Sequence, residues 1–251
     1  MPKRKSLPNA ALYRRAFDGT LRPAEPNSKH LPVLHRTRVE GRRRYVSQGS
    51  LPLPQNSFDS VSTILNSTQD EASKAALCRW QARVGAMEAE RIRNEAIDAG
   101  KAIHTYLHNY LTGKHCSPIG SSYEGYFHAL EKVLPKFEES FLSEQTIVSF
   151  QYQYLGTLDL LVRYRNRITL IEIKTSSKSK QLDWVKDKVL QLAAYQIPAE
   201  ELYSIEQSAL IYLIGDGSYQ EFLFTPQQMT YYKQIWLNRL AQARDDWGFV
   251  V

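Results

Sequence analysis

Over the first fifty-odd residues the apolar positions keep neither helical nor strand spacing, and Pro2, Pro8, Pro23, Pro26, Pro32, Pro52 and Pro54 interrupt them. Proline fixes φ and removes a backbone donor, so residues 1–55 read as a loosely ordered leader and residues 56–251 as the folded body, beginning near Ser57. From 71 to 111 the pattern is helical. Leu77, Trp80, Val84, Met87, Ile92, Ala96, Ile103, Leu107 and Leu111 recur at helical spacing, with a break or bend at Gly85 and Gly100. A second helix is expected over 123–141. The period then falls to two, and residues 147–154, 157–164 and 168–174, rich in β-branched and aromatic side chains, predict three strands. Helical spacing returns over 183–196. Residues 209–214 and 219–224 flank the turn Gly215-Asp216-Gly217-Ser218 as a hairpin. Thr225, Pro226 and Gln228 form a capping box with proline in the first helical position, opening a last helix towards Arg244. This alternation predicts an α/β fold: a mixed central sheet of about five strands flanked by helices, with a helical N-terminal portion.

Composition sharpens the picture. With 43% hydrophobic residues the chain can fill a core. No apolar run nears the roughly 18 residues of a membrane span. The opening MPKRKSLPNAALYRR lacks the apolar block of a secretory signal and has only the arginine-rich, acid-poor character of a transit peptide. The expected compartment is the cytoplasm of a bacterial or phage-infected cell, with the mitochondrion as the alternative. Cys78 and Cys116 are the only cysteines, which excludes disulfide scaffolds, zinc ribbons and cysteine-ligated clusters. The net charge of +6 is uneven: residues 1–50 hold twelve Lys or Arg against three acids, the remainder twenty against twenty-three. Runs such as Arg42, Arg43 and Arg44 suit a polyanion, a solvated tail being the alternative.

The chemistry concentrates in the second and third predicted strands. If Arg165-Asn166 is a two-residue turn, Tyr164 pairs with Arg167, and the register carried back sets Asp159 opposite Glu172. A four-residue loop keeps that register; a three-residue loop turns the carboxylates to opposite faces. Opposed side chains have Cβ atoms roughly 5 Å apart. Two ionised carboxylates there repel by on the order of 3 kcal/mol at an effective dielectric near 20. Lys174, two residues beyond Glu172, shares its face and supplies one positive charge. Leu158, Leu160, Ile171 and Ile173 make the surroundings apolar, so the imbalance is costly. A divalent cation would remove it. Hard oxygen donors at this spacing suit Mg2+ or Mn2+, with the peptide oxygen of Ile173 and waters as further ligands. An ion cluster that only fixes strand register is the alternative.

GTLDLL (156–161), IEIKTS (171–176) and QLAAY (191–195), preceded by the G-x-x-x-H of Gly100 to His104, resemble in this order the motifs of PD-(D/E)xK nucleases of the RecB-like branch. With SVSTIL (60–65) and the helix bearing Trp80, the arrangement over about 57–240 is most similar to the mitochondrial genome-maintenance group and its bacterial and phage relatives. The resemblance implies metal ligation by Asp159 and Glu172, catalysis by Lys174, and a metal-proximal role for His104. It sets Gln191, which joins the catalytic group, and Tyr195 along the path of the DNA. Lys188 shares their helix face one turn earlier. Glu144 matches the family's additional acidic residue, a surface carboxylate being the alternative. Two positions depart from the pattern. His108 stands where relatives often carry an acid; its i, i+4 spacing from His104 would suit a zinc pair, but no third ligand is apparent and the reading is a core or surface histidine. Glu172 stands where mitochondrial relatives have the shorter acid. The implied activity is metal-dependent exonucleolytic hydrolysis of single-stranded DNA from a free end, through a metal-activated water. The alternatives are a nucleic-acid-binding module, using fifteen Tyr and four Trp for stacking, and an endonuclease on the same fold.

Overall fold

The computed structural model describes residues 8–24, 31–39, 41–47, 57–116 and 120–247. Among them run, in chain order, β1 (Ala10–Arg15), β2 (Leu21–Pro23), β3 (Leu34–Val39), β4 (Arg42–Ser47) and β5 (Ser57–Ser60). Next come the helices α1 (Val61–Ser67), α2 (Glu71–Val84), α3 (Ala86–Leu111) and α4 (Glu124–Glu131). The second half holds β6 (Phe137–Ser149), β7 (Tyr154–Tyr164), β8 (Arg167–Ser176), α5 (Lys186–Glu200), β9 (Gln207–Ile214), β10 (Tyr219–Phe224) and α6 (Pro226–Asp246).

The turn between β7 and β8 sets the centre of the molecule. Arg165 and Asn166 both have positive φ, 50° and 63°, the two-residue geometry that matches strand twist. Tyr164 therefore pairs with Arg167, and the register runs back to Leu160 opposite Ile171. β8 continues through α5 into β9, which lies parallel to it from Thr169↔Gln207 to Ser176↔Ile214. A parallel pair needs such a crossover, and α5 supplies it. β10 returns antiparallel to β9. One face of the sheet is covered by α1, α5 and α6, with Trp236, Val189, Leu192 and Leu210 in its core. α3 and α4 cover the other with Ile103, Leu107 and Leu130 packed on Leu160, Ile171 and Ile211. The Thr225 capping box opens α6 as its residues require.

Four expectations are corrected. The sheet has ten strands, not about five. Four of them, β1 to β4, lie in the stretch taken from its prolines as a loosely ordered leader. β2, β3 and β4 each contribute a single buried residue, Leu21, Leu34 and Tyr45, and β1 contributes Ala10, Ala11 and Tyr13, so no periodic signal builds up within a strand. All but Ala10 join Phe58, Phe150 and Leu155 in a separate core. β6 pairs with both β1 and β7, and β5 with both β4 and β7, so β1 to β7 close into a ring. The helix expected over 123–141 is instead the short α4 and then β6. Pro135, in a 3-10 turn at Leu134–Lys136, cannot continue a helix, and ten paired positions with β7 hold β6 extended. Gly85, with φ 86°, does break the front helices, whereas α3 runs unbroken through Gly100.

Candidate metal centre and active site

β7 and β8 part company just beyond the Leu160↔Ile171 pair, and the acidic residues stand in the fork. Asp159 is the next residue on β7 and Glu172 the next on β8. With the backbone ladder ended, the amide of Ile173 donates to Asp159 Oδ2 at 2.8 Å. The carboxylate thus replaces a missing strand partner, which fixes its orientation. Lys174 Nζ lies 2.5 Å from Glu172 Oε2 and 3.6 Å from Asp159 Oδ2, so one ammonium joins both acids on one face. On the far side of β7, Ser143 pairs with Leu160 and Gln145 with Leu158, bracketing Glu144 beside Asp159. Glu144 has φ 50°, a left-handed conformation inside β6 that turns its side chain out of the regular strand. Three carboxylates from three adjacent strands stand in a row.

His104 reaches this row from α3. Its Nδ1 is 2.7 Å from Glu144 Oε1 and 3.6 Å from Asp159 Oδ1, and its Nε2 is 3.2 Å from the carbonyl oxygen of Ile173. Both ring nitrogens face acceptors, an arrangement that suits the imidazolium. Burial opposes the charge, but the hydrogen bond to Glu144 and the charge of Asp159 outweigh it and raise His104 to about 9. Glu172 is fully buried; desolvation first, then the charge of Asp159, pushes its carboxyl up to about 8. Desolvation pulls Lys174 down, yet Asp159 and Glu172 together hold it above its ordinary value, so it stays protonated. Ligand atoms of His104, Glu144 and Asp159 lie within 4.8 Å of one another, close enough to share one metal ion. Glu172 Oε1 is buried without a hydrogen-bond partner among the described residues.

The cluster opens into a cavity of about 850 Å³, whose wall includes His104, Glu144, Asp159, Ile173, Lys174 and Lys188. Arg93 and Lys101 from α3, Lys180 and the exposed ring of Trp184 complete its mouth. Of the other residues singled out from the sequence, Lys188 reaches the wall, while Gln191 and Tyr195 do not line it. They pair with each other, Gln191 Nε2 donating to Tyr195 Oη at 3.0 Å, and the buried Tyr195 packs on Gly156. His108 is not a zinc partner for His104: its Nδ1 is 3.1 Å from Ser143 Oγ and its Nε2 3.4 Å from Lys114 Nζ. Glu144 is the residue the sequence left undecided, because neither its conformation nor its contact 40 residues away has a local signal.

This chain is similar to proteins named exonucleases. It is 26% identical over 204 residues to mitochondrial genome maintenance exonuclease 1 of Mus musculus, covering 76% of this chain and 60% of the relative. The Xenopus tropicalis protein of that name is 26% identical over 217 residues (80% and 60% of the two chains), and the Homo sapiens protein 24% over 206 residues (76% and 60%). The chain spans about 60% of the length of these relatives. No family model matches it. The likeness is distant and supports a relationship to nucleases. No helix among the described residues is long and apolar enough to cross a membrane.

Proposed function

We propose that the protein is a metal-dependent DNA exonuclease of the PD-(D/E)xK type, hydrolysing phosphodiesters at single-stranded ends. The observation that carries this reading is the convergence, in one fork of the sheet, of Asp159, Glu172, Lys174 and the Ile173 carbonyl with His104 and Glu144. The donor set fits a hard divalent cation such as Mg2+ or Mn2+: oxygens dominate, and Glu172 Oε1 has no hydrogen-bond partner among the described residues. Asp159, Glu144 and the Ile173 oxygen would hold the ion, with Glu172 at its back, and His104 would join them through a ring nitrogen once an arriving cation displaces its extra proton. A bound ion of this kind polarises a phosphate and lowers the pKa of water.

The chain's own residues supply the rest. Lys174 keeps its proton, held by Asp159 and Glu172, and offers a fixed positive charge to the negative charge that builds on the reacting phosphate. Asp159, anchored by the Ile173 amide, cannot swing away when substrate enters. Lys188, Lys180, Arg93 and Lys101 give the cavity a cationic rim suited to a phosphate backbone. The reading is tested with purified protein and end-labelled single strands in Mg2+ or Mn2+. Linear DNA is shortened and circular single-stranded DNA is left intact, while Lys174→Ala lowers kcat by about a hundredfold to a thousandfold. Equal activity from Lys174→Ala refutes the assignment. Tight binding without cleavage would make the protein a binding module, and cutting of circles would make it an endonuclease.

A further inference from the structure

The hairpin of β3 and β4 carries a second cationic feature, outside the cavity just described. Arg38 and Arg43 stand directly opposite each other across the hairpin, and Arg36 lies two residues before Arg38 on the same face. Like charges opposed in this way destabilise a strand pair unless an anion lies between them. Arg43 is fixed, donating to Ser60 Oγ at 3.3 Å and to Ser62 Oγ at 2.5 Å. Arg36 and Arg38 are exposed and have no hydrogen bond or ion pair among the described residues. Between the hairpin and α1 lies a cleft of about 460 Å³, lined by Arg36, Arg38, Arg42, Arg43, Ser62 and Asn66 among others. None of the described residues lining it is acidic and none is aromatic.

We infer that this cleft is a phosphodiester-binding site that grips the backbone of a nucleic-acid strand away from the cutting centre. Guanidinium forks match phosphate oxygens bidentately, and the hydroxyl and amide groups of Ser62 and Asn66 add neutral donors. With no ring to stack a base, the cleft holds backbone and is indifferent to sequence. Its position suits a strand running to the cavity. Ser60, at the start of α1, pairs with Leu155, and Asp159 lies four residues further along β7, on the order of 13 Å away at strand rise. The inference rests on nucleic acid being the substrate, and its test separates the two.

Binding of a labelled single-stranded oligonucleotide to the full chain is measured in chelator, where nothing is cut, across a range of salt concentrations. Arg36→Ala combined with Arg38→Ala lowers the slope of log affinity against log salt by about 1.4, since each single-strand phosphate contact contributes roughly 0.7. Arg36→Lys with Arg38→Lys keeps the slope. The lysine pair leaves thermal unfolding unchanged and the alanine pair does not lower it, because the native side chains hold no partner among the described residues and Arg38→Ala relieves the repulsion from Arg43. An unchanged slope in the alanine protein overturns the inference, as does displacement of the oligonucleotide by inorganic phosphate at matched ionic strength, which would mark a small-anion site. Absence of cleavage in Mg2+ or Mn2+ alongside the altered slope would remove the nuclease reading and leave the cleft standing.

Discussion

Replacing Gly156 with alanine aims a methyl group at the ring of Tyr195. An ideal Cβ at this position lies 2.2 Å from Tyr195 Cε1 and 3.0 Å from Cζ. Ordinary carbon contact begins near 3.5 Å, so the ring must retreat by more than about 1 Å. It has little room, being 4% exposed and packed in the core around Trp236 and Leu210. Overpacking of this kind costs about 1–3 kcal/mol, offset by about 0.5–1 kcal/mol because alanine suits a strand better than glycine. The net loss then reaches at most about 2.5 kcal/mol, a fall in Tm of up to roughly 10 °C for a chain of this size. A double-mutant cycle isolates the cause. In a Tyr195→Ala background the clash has no partner, and Gly156→Ala is neutral or mildly stabilising. Equal destabilisation by Gly156→Ala in both backgrounds, read from denaturant unfolding, refutes the argument that the glycine exists to admit the ring.

Glu172 makes the metal-free protein sensitive to pH. Its folded pKa, about 8, exceeds the ordinary value of 4.5, so its contribution is complete below about 4.5 and is lost as pH rises through 8. Unfolding free energy measured in chelator should fall over that window, and Glu172→Gln should flatten the fall; parallel curves for the two proteins would contradict it. Gly125→Ala meets an obstacle that no rotamer relieves, since the new Cβ lies 1.8 Å from the carbonyl oxygen of Gly215. A loss of about 2 kcal/mol in denaturant unfolding is expected despite the roughly 1 kcal/mol gain in helix propensity. Thr225→Ala removes the oxygen that accepts from the Gln228 amide at 3.3 Å and should cost about 1 kcal/mol while leaving DNA cleavage unchanged.

Much of the fork was legible in the residues themselves. Arg165 and Asn166 form a two-residue turn, and that local event sets the register which brings Asp159, Glu172 and Lys174 to one face. The β9–β10 hairpin and the opening of α6 were equally readable, because a turn and a cap are decided by four or five neighbouring residues. Glu144 was not, nor was the pairing that draws β6 out where a helix was expected; both depend on β7, which lies beyond a turn whose geometry the sequence does not specify. The strands β1 to β5 are the extreme case. Tyr13, Leu21, Leu34, Tyr45 and Phe58 are scattered over some fifty residues among prolines and arginines, and become a core only once β6 and β7 give them something to close against. Short-range chemistry thus determined the turns, the caps and the β7–β8 register, which ends one residue short of the acidic pair. Contacts between distant segments, whose energy appears only when the whole sheet assembles, decided the size of the sheet, the third carboxylate and the arginine cleft.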